Sequence, residues 1–373
     1  MRMFRQGILT TAILLIASTQ TQAAFTDLGT LGGTKSSAIS INNLGQVVGF
    51  SYEVNSTLSR ATLWENNKIT NLGGAFNVPS YATDINDSGT VVGSKNLPGP
   101  WGGFSVSRPL QWQGTQASEL STLGGPNGAI NSINNSGKMA GSSDLVANSL
   151  FHAAVWENTA KPSDLGILGA MGSVAIGVNN PGQVVGYTTD KGIGHAAVWN
   201  GGTGTQLKDY GFMSYANAVN DHGLIAGTVG LDNMNKVSRA ALWQGDSLLE
   251  LAGLGGDTSF ARAVNNAGQV VGVSSLANGT YRAALWAGQQ IIDLNSYLSS
   301  EEIAAGWQLT SANSINNSGW VVGDALNSKT GESHAYMMST PAMPVPEPET
   351  YALMGMGLLA LLAVRRTKGR TQA

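Results

Sequence analysis

Between residues 25 and 338 the chain is written in short apolar runs, rich in Val, Ile, Leu and Ala, that Gly, Asn or Asp interrupts every few residues. Gly and Asn at that density, with β-branched pairs such as Val47-Val48, exclude helices and predict short strands joined by tight turns. The runs repeat. INNLGQVVG at 41–49 returns as INDSGTVVG (85–93), INNSGKMAG (133–141), VNNPGQVVG (178–186), VNDHGLIAG (219–227), VNNAGQVVG (264–272) and INNSGWVVG (315–323). Successive copies start 44, 48, 45, 41, 45 and 51 residues apart. Each is followed by a second signature, from RATLW (60–64) to HAYMM (334–338), and then by a Leu-Gly-Gly-like segment such as LAGLGG (251–256).

Each unit therefore reads as four strands. The first runs into the Ile/Val-Asn pair, the second is centred on Val-Val-Gly, the third ends in Trp, and the fourth ends near Leu-Gly-Gly. With Asn180 ahead of it, Pro181-Gly182 suits a type II turn, Pro second and Gly third with positive φ. Four strands per 40–45 residues is the period of a propeller blade. The predicted fold is all-β, a seven-bladed β-propeller-like domain over residues 24–340. The chain enters it with a fourth-strand segment and leaves it after a third-strand segment, so Phe25–Leu31 is expected to lie antiparallel to His334–Met338 and close the ring. The alternative is an open or differently closed β-repeat array, which would carry polar caps.

The two ends follow other rules. Arg2 and Arg5 precede an apolar run, Ile8 to Ala17, then a polar stretch and Ala23-Ala24. This is the layout of a signal peptide over residues 1–23, a signal helix cleaved after Ala23, and too short an apolar run to span a bilayer. At the other end, Val345-Pro346-Glu347-Pro348 precedes an apolar segment at 351–364 and the cations Arg365, Arg366, Lys368 and Arg370. Fourteen helical residues cover about 21 Å of a core about 30 Å thick, enough for a short membrane helix with a transient or permanent hold on the inner membrane. The trio over residues 341–373 resembles the PEP-CTERM sorting signal of Gram-negative bacteria. The resemblance implies recognition by the membrane enzyme exosortase, processing of the tail, and release or attachment at the cell surface, often beside exopolysaccharide. The repeats themselves resemble the extracellular HAF repeats, whose His-Ala-Phe step stands here as His-Ala-Ala, Arg-Ala-Ala or His-Ala-Tyr. No catalytic residue comes with that resemblance.

Composition narrows the function. Gly is 49 of 373 residues, charged residues are 12%, and there is no Cys, which removes disulfides, thiol nucleophiles and thiolate metal sites. Without the two leader cations and the four tail cations, 14 basic side chains face 21 acids, Glu347 and Glu349 set aside, so the body carries −7 and offers no basic stripe for nucleic acid. Neither G-x-S-x-G nor H-E-x-x-H occurs. Arg60, Arg108, His152, His195, Arg239, Arg282 and His334 each stand four residues before Trp or its equivalent. A channel-facing ring of cations or a three-His metal site is weighed against a structural slot in which each stacks on its Trp or bonds a neighbouring carbonyl, and the slot is the expectation. The Asn-rich turns mimic half a calcium loop but lack oxygen ligands at its later positions, so the Asn side chains are expected to serve the turns.

Trp101, Trp307 and Trp320 fall outside the Trp period and are the candidate ligand contacts, for sugar faces among others. Trp307 follows a helix-like insert, Ser299–Gly306, with Ser299 and Glu302 spaced as a capping box. The reading is an exported, non-catalytic surface or matrix protein without cofactor or metal, binding glycan (exopolysaccharide) or a surface protein through its loops, with the secretion machinery and exosortase as partners. The alternative is a secreted carbohydrate-active enzyme, a glycosidase or lyase that assembles two carboxylates from different blades.

Overall fold

The computed structural model describes residues 24–340, apart from 74–75, 99–104, 147, 158–160 and 234–235. Ala23 and the leader, the sorting residues Val345, Pro346, Glu347, Pro348, Arg365 and Arg366, the predicted helix at 351–364, and Trp101 lie outside the described residues. Among the described residues no helix is long and apolar enough to cross a membrane.

The body is all-β and propeller-like. In the fourth unit Gly172–Val178, Val184–Asp190, Ile193–Asn200 and Thr203–Gln206 pair antiparallel in that order. The same succession recurs in the units that begin at Gly32, Ser80, Gly124, Ser214 and Gly255. The unit at Trp307 contributes Trp307–Ile315, Trp320–Asn327 and Ser333–Ser339, and the strand paired outside them is Phe25–Gly29 from the N-terminal side. Its register sets Phe25 opposite Met338, Thr26 opposite Met337 and Asp27 opposite Tyr336. The strand stops at Gly29, two residues short of the expected Leu31, because Gly29 (φ 68°) turns the chain toward the first unit, where Leu31 bridges Glu53. The expected insert is the helix Ser300–Ala305, capped by Ser299 with Glu302 closing the box.

The core lies between units rather than within them. Seven buried clusters form, each joining second- or third-strand apolar residues of one unit to the first strand of the next and to its periodic Trp, or to Met338 in the last unit. One joins Val322 and Ala335 to Ala38, Ile41, Val47 and Trp64, so the last unit packs on the first. The periodic Trp side chains are all buried, Trp112, Trp156, Trp243 and Trp286 completely.

The glycine of the Val-Val-Gly step has a steric cause. In all seven units the first strand carries a bulge opposite it, as between Ala38 and Ser40, and a Cβ on Gly49 would overlap the carbonyl oxygen of Ser37. The bulge turns the extra residue out of the ladder. These extra residues are Ile39, Thr83, Asn131, Ile176, Asn217, Arg262 and Asn313. The turn that follows departs from expectation by one residue. Gly182 N–H donates to Asn179, which makes Pro181 third and Gly182 (φ 89°) fourth. Asn179 N–H also donates to the Gln183 carbonyl, giving a three-residue hairpin loop with glycine at its left-handed position.

Candidate functional site

The first-strand turns of all seven units meet around a polar mouth of about 160 Å³. Two residues per unit build it. The first is the buried Asn of the Ile/Val-Asn pair. Its Oδ1 accepts from N–H groups of its own turn, as Asn134 accepts from Ser136 (3.1 Å) and Lys138 (2.9 Å). Its Nδ2 donates to the same residue's carbonyl one unit on. The series runs Asn42 to Asn86 (3.0 Å), Asn86 to Asn134 (3.2 Å), Asn134 to Asn179 (2.9 Å) and Asn179 to Asn220 (2.9 Å). It continues Asn220 to Asn265 (3.0 Å) and Asn265 to Asn316 (3.1 Å), and Asn316 returns to Asn42 (3.0 Å).

The second residue is Asn or Asp in every unit: Asn43, Asp87, Asn135, Asn180, Asp221, Asn266 and Asn317. Each backbone N–H donates to the next unit's side-chain Oδ1 at 2.9–3.0 Å, and Asn317 donates to Asn43. Asp87 further accepts from the amides of Asn43 (3.0 Å) and Asn135 (2.7 Å), and Asp221 from those of Asn180 (3.0 Å) and Asn266 (2.9 Å). Burial alone would raise both carboxyls. The amide and N–H donors outweigh it and hold them below the usual carboxylate range.

A third layer comes from the bulges. Thr83 donates to Ile130, Asn131 to Ala175, Asn217 to Ala261 and Asn313 to Ala38, each at 2.7–2.8 Å and each into the following unit. Arg262 reaches Asn313 in the same direction. Asp84 ties three units at once, accepting from Ser40 Oγ (2.6 Å), Ser132 Oγ (2.9 Å) and the N–H groups of Ile85 (2.9 Å) and Ile133 (2.8 Å). Burial nevertheless pushes its carboxyl above the usual range.

The Asn side chains thus serve the turns, as expected, and also staple adjacent units, which turn chemistry does not predict. The signal lay in the second position. A turn alone tolerates Gly or Ser there, yet all seven copies keep a side chain with an acceptor oxygen.

The basic slot has partners other than its Trp. His152, His195 and His334 bond through Nδ1 to Asp164, Asp209 and Asp27, each at 2.9 Å, and each Asp belongs to the outer strand or the segment just after it. Arg108 and Arg282 face Glu119 and Asp293 in the same way, at 3.7 and 3.9 Å. Arg60 and Arg239 reach carbonyls of the following unit, as the slot reading expects. The bond to Asp27 pushes the His334 imidazole above its usual value. The three His sit in different units, and among the described residues no group of three His, Asp or Glu side chains is placed to hold a metal. The two candidate Trp residues that are described, Trp307 and Trp320, pack in different clusters. Trp307 packs between Phe25 (5.8 Å) and His334 (5.3 Å), and Trp320 packs against the cluster that joins the last unit to the first.

Residues 344–366 match the PEP-CTERM protein-sorting motif. The chain therefore carries a sorting signal that indicates export, delivery to the cell surface and processing by exosortase. Among curated proteins no relative matches. Among solved structures, the β-propeller domain of the Trilobed protease from Pyrococcus furiosus aligns with 88% of this chain and all of its own, at 10% identity and a TM-score of 0.50. TolB from Acinetobacter baumannii (11% identity, 79% of this chain and 80% of its own, TM-score 0.39) and a Trypanosoma rangeli sialidase (10%, 89% and 60%, 0.40) align less well. The first likeness shows the fold. It is that of a β-propeller.

Proposed function

We propose that this chain is an exported, non-catalytic surface protein whose body, residues 24–340, is a closed seven-bladed propeller of HAF-type repeats that binds glycan or protein through its loops. A signal peptide at 1–23 and a sorting segment at 341–373, with its short membrane helix, complete the chain. The sorting motif at 344–366 carries the reading, because it supplies the address. Binding rather than turnover is supported by the mouth. Its two carboxylates, Asp87 and Asp221, are held ionised by Asn donors, which suits neither to donate a proton as a glycosidase acid must.

The exit of the tail supports the use of loops. Thr340 donates its N–H to Gly319 in a mouth turn, at 3.2 Å, so the described body ends on the mouth side. While the tail is held at a membrane, the opposite loops, such as 54–58, 191–192 and 277–280, are the ones turned away from it. Expressing the full chain beside a form lacking Val345–Ala373 tests both parts. The shortened form is expected in the medium, the full chain is expected to pass through a larger membrane-held precursor, and the recovered body is expected to bind glycan or protein without releasing reducing ends. Permanent retention of Arg365–Arg370 in the mature protein would replace sorting by a plain anchor, and hydrolysis would replace binding by catalysis.

A further inference from the structure

Where the last unit meets the first, a cleft of about 480 Å³ opens between Phe25–Gly29 and Trp64–Ile69. Three departures from the repeat coincide there. Elsewhere the indole N–H of the periodic Trp donates to a carbonyl of the preceding unit: Trp112 to Leu72 (3.1 Å), Trp156 to Ser121 (2.8 Å), Trp243 to Lys208 (2.7 Å) and Trp286 to Ala252 (2.7 Å). Trp64 lines the cleft and is 3% exposed, yet its N–H has no acceptor. The carbonyl in the corresponding place, that of Gly29, accepts instead from Ser36 Oγ (2.7 Å). Trp199 shares this defect, since Ser173 takes the Gly166 carbonyl, but it lacks the second departure.

That second departure is the hairpin between the third and fourth strands. It carries Gly114, Gly201-Gly202, Gly245 and Gly288 at left-handed positions in four sibling units, and Asn66-Asn67 (φ 51° and 59°) in the first. Two adjacent amide side chains therefore stand on the cleft rim, where the sibling loops read Gly114-Thr115, Gly201-Gly202, Gly245-Asp246 and Gly288-Gln289. Third, the equivalent hairpin of the last unit is replaced by a meeting of two segments, Ala24 N–H on Ser339 Oγ at 3.0 Å, so among the described residues no hairpin loop covers that side.

The floor is apolar, built by Leu28, Ile69 and Met337 around Trp64, and the rim is amide-rich with one cation and one free anion. Asp27 is spent on His334, which leaves Lys68 against Glu65, whose Oε1 already accepts from Gln46 at 2.6 Å. With no net charge to offer, the cleft does not select a phosphate or a uronate. An apolar floor with donors and acceptors around it fits a ligand that has a C–H face and a girdle of hydroxyls, since each amide presents a donor and an acceptor side by side. The volume lies in the range of small-molecule sites, about 300–1,000 Å³. We propose that this cleft is a subsite for a neutral hexose residue of a glycan, an assignment that rests on the binding role given above.

The test is a glycan array probed with the secreted protein, its Trp64→Phe variant, and a double variant, Asn66→Gly with Asn67→Gly. The double variant gives the hairpin the Gly-Gly loop of the fourth unit, at two positive-φ positions that glycine prefers, so it folds at an unchanged melting temperature while losing both rim amides. The expected result is binding to neutral hexose glycans that falls tenfold or more in the double variant, and falls also in Trp64→Phe, which replaces the indole by a smaller ring without an N–H. Undiminished binding by both variants overturns the cleft assignment and leaves the binding role standing. Binding confined to acidic glycans or to peptides likewise overturns the cleft alone. Binding to nothing on glycan or protein arrays overturns both.

Discussion

Removal of Phe25–Gly33 is expected to lower the melting temperature by about 10 °C or more and to drive aggregation. The strand supplies four registered residue pairs to Ser333–Ser339, the Asp27 partner of His334, and the carbonyl that holds Ser36. It also places Phe25 against Trp307 and Tyr336, and Leu28 in the cluster between last and first units. Two half-buried apolar side chains and a charge-assisted bond amount to roughly 4–6 kcal/mol. At about 2–4 °C per kcal/mol for a large domain, that gives the predicted shift. Aggregation follows because Ser333–Ser339 would be left with an unpaired edge. A calorimetric scan and light scattering of the deleted protein report both effects. An unchanged melting temperature would mean that the strand is an appendage.

Asn179→Ala is the point substitution with the largest expected cost, about 2–4 kcal/mol. Asn179 is 5% exposed, so the truncation leaves Gln183 N–H (2.8 Å) and the Asn220 carbonyl (2.9 Å) without their partner in a dry place. Asn180, the next residue, makes as many side-chain bonds but is exposed, so water replaces what Asn180→Ala removes and about 1 kcal/mol or less is expected. Urea denaturation of the two variants separates them. Equal costs would mean that the buried ladder contributes no more than the rim.

The fold was legible because repetition multiplies weak signals. One Val-Val-Gly says little, whereas seven copies of the nine-residue motif that contains it or a variant, 41 to 51 residues apart, define the unit and its strand order. Closely local chemistry was legible too, as at the Ser299–Glu302 capping box. What escaped was side-chain chemistry between strands and between units. Acid partners of the basic slot stand 11 to 14 residues on, as at Arg108–Glu119, His152–Asp164 and His195–Asp209, and Asp27 is 307 residues from His334. Nothing in a strand pattern announces a pairing set by the path of the outer strand. Trp307 and Trp320 looked free because they break the period. They break it because the last unit has Tyr336 and Met338 where its siblings carry smaller or indole side chains, and other aromatics fill that neighbourhood. The Pro181 turn was misplaced by one residue because sequence shows which residues favour a turn, while the Asn179 backbone bond to Gly182 decides where it closes.

The account stands or falls on whether the N-terminal strand completes the last unit in the exported protein. The sequence has no Cys, so a pair introduced as Thr26→Cys and Met337→Cys is free of competing thiols. These residues face each other in the antiparallel register. Directly opposed Cα atoms lie about 4.5–5.5 Å apart, within disulfide reach. Peptide mapping of the secreted double variant without reductant is expected to recover the segment around residue 26 covalently joined to the segment around residue 337, with no reactive thiol in the folded protein. Two free, reactive thiols in a folded and secreted protein would contradict the closed ring.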